Sequence, residues 1–178
     1  IWRTTSGGDS PWTNYPAALG LSLNSIQFYN GNPTGITVGN KGIIVMTVNS
    51  GALWGSHPDG SFHPDTLDST ITFHSVAVRT PGMAWAVGSY GKTWRSTNGG
   101  GAWLENSSGP ISDMMDIDFV TANNGYAVGS TGSIMTTSNG GRTWLPRGSG
   151  VSVSLNGIAM LNAARGFASC DRGTRLST

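Results

Sequence analysis

The stretch MTTSNGGRTW, residues 135–144, reads as the end of a strand, a tight turn and a tryptophan. Nearly the same pattern recurs as WRSTNGGGAW (94–103), VMTVNSGALW (45–54) and, at the start of the chain, IWRTTSGGDSPW (1–12). Asparagine tolerates left-handed backbone angles and can bond nearby backbone N–H groups, while glycine supplies positive φ at no steric cost. The four copies therefore predict a repeated hairpin turn, each anchored by a large aromatic side chain.

The hydroxyl residue that opens each turn measures the length of the repeat. Thr4, Thr47, Ser96, Thr137 and Thr178 are separated by 43, 49, 41 and 41 residues, so a base period of 41 recurs four times with small insertions. We expect repeats at about 4–46, 47–95, 96–136 and 137–177, all within a single domain spanning 1–178. From the turn tryptophan to the next apolar strand position the chain counts 22 residues after Trp54 and 14 elsewhere, which places an insertion of eight in the second repeat.

A second motif lies in phase with the first. It appears as GITVGNKG (35–42), AWAVGSYG (84–91), GYAVGSTG (125–132) and GFASCDRG (166–173), and the alternating runs SIQF, SVAV, DIDF and GIAM precede the four copies. These patterns predict about three strands in each repeat and a weaker one after the tryptophan. No apolar stripe of helical period appears. The fold class is therefore expected to be all-β, with each repeat forming one small antiparallel blade of a β-propeller; a β-solenoid and a β-sandwich are the alternatives.

Composition agrees with short strands joined by many turns. The 178 residues include 27 glycines and seven tryptophans, with 37% hydrophobic and 11% charged residues. A net charge of +1 gives no overall attraction to nucleic acid or to an anionic membrane, and no apolar run approaches the roughly 20 residues of a membrane span. The single Cys170 stands where the other copies of the second motif have glycine, and we expect it to be a small buried side chain.

The turns resemble the Asp-box, or BNR, repeat, written S/T-x-D-x-G-x-T-W. Asn49, Asn98 and Asn139 take the Asp position here, and Ser6 takes it in the first copy. Combined with the second motif, the pattern is most similar to the photosystem II assembly and stability factor group of propellers. The resemblance implies a structural role for these asparagines and for Trp54, Trp103 and Trp144. Because propellers of that group are seven-bladed rings, it also predicts that four repeats are a segment of a longer propeller, with a four-bladed ring as the alternative.

The same resemblance implies a non-catalytic scaffold that binds a protein partner outside the cytoplasm, in a location such as the cell surface, the periplasm or the thylakoid lumen. An arginine-rich surface is implicated in partner binding in that group. The arginines predicted as contacts flank a turn tryptophan or lie late in the chain: Arg142, Arg147, Arg165, Arg172 and Arg175. Scattered solubilising charge is the alternative interpretation of these residues.

Two further groups of residues carry competing interpretations. The carboxylates of Asp113, Asp116 and Asp118 could serve glycoside hydrolysis, or they could form a polar blade edge. His57 and His63, each followed by Pro-Asp, and His74 could bind a metal, but they lack a fixed ligand spacing. The prediction is a polar edge and a solvated loop, with no catalytic residue, no metal and no cofactor.

The sequence NSS at 106–108 is an N-glycosylation sequon, so Asn106 is a candidate for glycosylation if the protein is secreted by a eukaryote. Two alternatives to the binding scaffold stay open. One is a structural subunit of an extracellular or cell-surface assembly. The other is a propeller that binds glycans or hydrolyses them in the manner of a sialidase.

Overall fold

The computed structural model describes residues 1–15, 20–55, 68–106 and 112–171, together with the backbone of 175–177. The described residues form short strands that pair only in the antiparallel sense. No helix among them has the length and apolar content that a membrane-spanning helix requires. The fold class predicted from the repeats, small antiparallel sheets following one another along the chain, is confirmed.

The strands group into one hairpin and four sheets, each in chain order. The amino-terminal hairpin pairs β1 (Trp2–Arg3) with β2 (Thr13–Asn14). The first sheet contains β3 (Leu23–Phe28), β4 (Gly35–Gly39) and β5 (Ile44–Thr47). The second sheet contains β6 (Phe73–Thr80), β7 (Met83–Gly88), β8 (Thr93–Ser96) and β9 (Leu104–Glu105). The third sheet contains β10 (Met114–Phe119), β11 (Gly125–Gly129), β12 (Ile134–Thr137) and β13 (Leu145–Arg147). The fourth sheet contains β14 (Leu155–Asn162), β15 (Arg165–Cys170) and β16 (Arg175–Ser177).

Each sequence motif has a fixed place in this order. The alternating runs lie in β3, β6, β10 and β14, and the second motif forms the next strand of each sheet. The weaker strand after the tryptophan is present as β9 and β13, whereas the first sheet has only an isolated bridge between Met46 and Gly55 at that place. Most of the predicted insertion, including His57 and His63, lies outside the described residues.

Hydrogen bonds within the repeated turn explain its sequence. In the third sheet the Thr137 hydroxyl donates to Asn139 Oδ1 (3.0 Å) and accepts from the Gly141 N–H (2.9 Å). The same Asn139 oxygen accepts from the N–H of Thr143 (3.0 Å). The turns at Thr47 and Ser96 repeat these bonds. An asparagine oxygen therefore closes the turn as an acceptor without a negative charge.

The left-handed backbone conformation falls on the residues after each asparagine, not on the asparagine itself. Positive φ angles occur at Gly140 and Gly141 in the third sheet, at Gly99 and Gly100 in the second, and at Ser50 and Gly51 in the first. Glycine is the residue that adopts such angles without steric cost. The tolerance of asparagine for these angles, expected from the sequence, is therefore not what the turn uses.

Neighbouring sheets pack face to face, and their apolar side chains form a separate cluster at each interface. The cluster between the first and second sheets includes Ile36, Met46 and Phe73, and the cluster between the second and third includes Trp85, Phe119 and Trp144. The first strands β3, β6, β10 and β14 lie side by side, each in contact with the next. The repeat therefore builds a row of sheets, each of which completes the core of its neighbour.

Side chains on the first strands also bond the backbone of the following sheet. Ser25 Oγ accepts from the Val76 N–H (3.3 Å), and Gln27 Oε1 accepts from the Val78 N–H. The Asp116 carboxylate accepts from the Ile158 N–H (2.8 Å). These strands lie at the edge of their sheets, so the side chains satisfy backbone donors that strand pairing leaves free.

Candidate partner-binding surface

The predicted contact arginines are distributed over two interfaces between sheets. Arg142 lies in the turn between β12 and β13, and its carbonyl accepts a hydrogen bond from Asn106 Nδ2 of the second sheet (3.3 Å). Arg147 ends β13, and its Nε donates to Thr136 Oγ1 (3.1 Å). Both residues are exposed. The structure therefore places Arg142 over the interface of the second and third sheets, and Arg147 on the side of the fourth.

The late arginines are only partly described. Arg165 begins β15, is exposed, and has its backbone N–H bonded to Asn162 Oδ1 (3.0 Å). Arg172 and the side chain of Arg175 lie outside the described residues. Of the five predicted arginines, Arg147 lines the interface between the third and fourth sheets, and Arg165 begins the middle strand of the fourth sheet.

That interface contains an open apolar groove with a volume of about 280 Å³, at the place where the turn of the third sheet covers Trp85 in the preceding interface. Its walls include Tyr126, Ile134, Ile158 and Met160, and Arg147 lines it as well. Ala164, Gly166 and Ala168 are among the residues that line it on the fourth sheet. A cationic group beside an apolar groove can hold a carboxylate while the groove takes an apolar side chain, which is a combination that suits a peptide.

The three aspartates of β10 and its approach are engaged in structural hydrogen bonds. Asp116 accepts from the Ser75 hydroxyl (2.7 Å) and from the N–H groups of Ile117 (2.9 Å) and Ile158 (2.8 Å). Asp118 accepts from the Met160 N–H (2.7 Å), and Asp113 accepts from the Tyr90 N–H (2.8 Å). A general acid must be protonated and a nucleophile must face a substrate, so this arrangement suits neither role. The carboxylates join the second, third and fourth sheets.

His74 lies in β6 with Nε2 buried and without a hydrogen-bond partner. Burial lowers the pKa of this imidazole, and the nearby charge of Asp113 raises it to a smaller extent. Among the described residues no group of His, Cys, Asp or Glu is arranged to hold a metal ion. The side chain is therefore expected to be neutral near pH 7.

Asn106, the sequon residue, follows β9 and is half-buried. Its Nδ2 donates to the Arg142 carbonyl, and its Oδ1 is buried without a partner. Glycosylation of this nitrogen stays a prediction, and a sugar there would project from the interface of the second and third sheets.

Arg95 is a residue that sequence reasoning did not single out. It lies in β8, its Nε is buried without a hydrogen-bond partner, and its pKa is lowered by burial and then by the charge of Arg142. The signal was available from the repeat alignment, because the same strand position holds Met46 in the first sheet and Thr136 in the third. Arg95 therefore stands out because the first and third sheets have an uncharged residue at this strand position.

Comparison with solved structures establishes the fold as a β-propeller. The structure of YCF48 from Cyanidioschyzon merolae matches with a TM-score of 0.69 and 22% identity over 93% of this chain. The structure of YCF48 bound to a D1 peptide matches with a TM-score of 0.53 and 21% identity over 99% of this chain. An ancestral GH74 enzyme matches with a TM-score of 0.69 and 14% identity over 92%.

The matched share of the other proteins differs. This chain covers 55% of the Cyanidioschyzon merolae YCF48 structure, 71% of the peptide-bound one and 23% of the GH74 enzyme. No protein-family model matches the sequence, and no curated protein is similar enough to match. The likeness therefore shows the fold, and the chain spans about half the length of the first of these structures.

Proposed function

We propose that this chain is a non-catalytic β-propeller that binds a protein partner, in the manner of the photosystem II assembly and stability factors it resembles. The observation that carries the proposal is the likeness to YCF48, one structure of which holds a D1 peptide. The apolar groove beside Arg147 supports it, because an exposed groove with a cationic edge suits an extended peptide. A location outside the cytoplasm belongs to the same proposal.

The contacts follow from the chemistry of the groove. Tyr126, Ile158 and Met160 would take an apolar side chain, and Arg147 would hold a carboxylate at the edge of the groove. Arg165 would add to the basic surface of the fourth sheet. Arg142 would extend the basic surface toward the second sheet. Guanidinium groups favour carboxylates because their planar N–H donors match both oxygens.

A binding titration tests the proposal. Anisotropy of a fluorescent D1 peptide would be measured against this chain, with a scrambled peptide for comparison. We expect Arg147→Ala and Arg165→Ala each to weaken binding by about 10- to 100-fold, since a charge-assisted hydrogen bond contributes about 1.5–3 kcal/mol. Lys41→Gln, at an exposed cation of the first sheet, is the control and should leave affinity unchanged. Equal binding of the scrambled peptide, or no loss in either arginine variant, would refute the proposal.

Glycan binding is the second candidate, favoured by the likeness to the GH74 enzyme. Hydrolysis receives less support, because Asp116 and Asp118 bond the backbone of β14. The hypothesis of a structural subunit in an extracellular assembly stays a prediction that none of the comparisons addresses.

A further inference from the structure

The interface of the second and third sheets collects unsatisfied polar atoms on one face. Arg95 pairs with Leu104 across β8 and β9, and the backbone N–H of Asn106 donates to the Thr93 carbonyl (2.8 Å). Directly opposite residues of an antiparallel pair project from the same face, so Arg95 and Asn106 are diagonal neighbours, roughly 7–8 Å apart at Cα. Arg95 Nε and Asn106 Oδ1 are both buried without a partner. One orphan is a donor and the other an acceptor.

Arg142 of the third sheet meets this same face. Asn106 Nδ2 donates to the Arg142 carbonyl (3.3 Å), which fixes the turn over the second sheet. The positive charge of Arg142 adds to burial in lowering the pKa of Arg95. The two like charges repel each other, although Arg142 is exposed and water screens part of the repulsion.

No described carboxylate neutralises this pair. Glu105, the acidic residue adjacent in sequence, forms an ion pair with Lys92. Neither guanidinium is joined to an acid by a hydrogen bond or an ion pair within the described part of the chain. Two neighbouring cations without a carboxylate partner favour a bound anion.

Neither arginine recurs at the corresponding position of the other described sheets. Met46 occupies the strand position of Arg95 in the first sheet, and Ala52 and Gly101 occupy the turn position of Arg142. The turn geometry is the same in all three copies, so folding of the repeat does not require either arginine. The charge pair is therefore a property of this interface alone among the described ones.

We propose that Arg95, Asn106 and Arg142 form a binding site for inorganic phosphate between the second and third sheets. Phosphate at pH 7 carries acceptor oxygens for Arg95 Nε and for the two guanidinium charges. It also retains a P–OH group, which can donate to Asn106 Oδ1. Sulfate and carboxylates have no such donor near neutral pH, so the site discriminates between oxoanions by a single hydrogen bond.

Thermal unfolding of the chain in phosphate-free buffer tests the site. Phosphate, sulfate or chloride would be added at matched ionic strength. At ten times its dissociation constant, phosphate is expected to raise the Tm by about 3–6 °C beyond chloride. Sulfate should raise it less. Isothermal titration calorimetry should give one phosphate per chain.

Three variants separate the site from a general salt effect. Arg95→Met and Arg142→Ala restore residues found at the same positions of the first repeat, and both should lose the phosphate-specific rise in Tm. Arg95→Met should also be more stable than the original chain in chloride, because the repulsion is removed. Lys41→Gln, at an exposed cation of the first sheet, should respond to phosphate as the original chain does.

Three results would overturn the proposal. The first is a phosphate response no larger than the chloride response, and the second is an unchanged response in Arg95→Met. An equal gain from sulfate is the third, because it would remove the role of Asn106 Oδ1 as an acceptor.

Discussion

The interface of the second and third sheets and that of the third and fourth are built from the same repeat, yet they are held together differently. In the former, the Trp85 ring stacks on Phe119 with centroids 3.7 Å apart, and its Nε1 donates to the Gly140 carbonyl (2.9 Å). In the latter, Tyr126 occupies the position of Trp85, and its hydroxyl donates to the Ala163 carbonyl (2.7 Å) beside an open groove. Both interfaces contain apolar clusters and hydrogen bonds, but stacked aromatic rings occur in the former and a tyrosine hydroxyl bond beside a groove takes their place in the latter.

The turn of the third sheet packs on Trp85, whereas the corresponding turn of the fourth sheet would begin at Thr178, outside the described residues. A Cβ atom on Gly141 would lie 2.6 Å from Trp85 Nε1, so only glycine allows the turn of the third sheet to approach the indole so closely. Its φ of +74° also favours glycine. The close approach buries Trp85 to 1% exposure and Trp144 to 2%. The repeated turn therefore packs tightly on the preceding sheet where that sheet provides a flat aromatic ring.

Removing the Trp85 ring should produce the largest effect. Trp85→Ala is expected to lower the free energy of unfolding by about 3–5 kcal/mol, because a fully buried aromatic side chain is lost and a cavity is left. Tyr126→Phe at the corresponding position should cost only about 0.5–1.5 kcal/mol, the contribution of one hydrogen bond. Urea unfolding of both variants measures the difference. Equal losses would show that the two interfaces do not differ as described.

Asp116 tests the hydrogen-bonded interface. Asp116→Ala should lower the free energy of unfolding by about 2–3 kcal/mol, since it leaves the Ile158 N–H and the Ser75 hydroxyl without an acceptor. Asp116→Ser places there the residue found at Ser25 and Ser75, and part of the stability should return.

Hydrogen exchange locates the effect of the Asp116 substitutions. The Ile158 amide should exchange faster in Asp116→Ala, while the Trp85 indole N–H stays protected. Unchanged exchange at Ile158 would contradict the assigned role of Asp116.

The smallest predicted effect is a pH dependence of the free energy of unfolding that comes from His74 in β6. Burial holds the pKa of His74 below its ordinary value of 6.5, so the unfolded chain binds a proton more readily than the folded one. The stability that depends on a neutral His74 side chain is fully present above pH 6.5, and it is lost as the pH falls through the lowered pKa of the folded chain. His74→Asn, the residue of Asn24 and Asn156 in other repeats, should flatten the stability change between pH 7.5 and pH 5.

Urea midpoints at the two pH values measure that slope in the original chain and in the variant. The carboxylates that do not interact with His74 affect both proteins equally, so the difference reports on His74 together with its interaction with Asp113. Identical slopes would mean that the imidazole titrates as it does in the unfolded chain.

The sequence predicts the fold because the signals that encode it are local. The hydroxyl of Thr137, the amide of Asn139 and the following glycines bond within five residues of one another, and their period counts the sheets directly. The strand patterns are similarly local. Propeller architecture follows once these units repeat at about 41 residues.

Other features depend on contacts that the repeat period alone does not specify. Asp116 accepts a hydrogen bond from the Ile158 N–H, 42 residues away in the sequence. The pKa of Arg95 is lowered in part by the charge of Arg142, which lies in the turn of the next sheet. Which face of a strand meets which neighbour depends on the bulge between Met114 and Asp116, which shifts the register. The repeat pattern does not predict the identity of a partner, because partner binding depends on surface groups that the turn chemistry does not constrain.

The hydrogen bonds between first strands also give the repeats a fixed order. Ser25, Ser75 and Asp116 share one strand position, where the fourth repeat has Gly157. Glycine has no side-chain acceptor, so a copy of the fourth repeat placed in the position of the third would leave the Ile158 N–H of the following sheet without this bond. Recombination that exchanges these repeats would therefore preserve each sheet but lose the hydrogen bonds between neighbouring first strands. The repeats are alike in shape, yet they are not interchangeable.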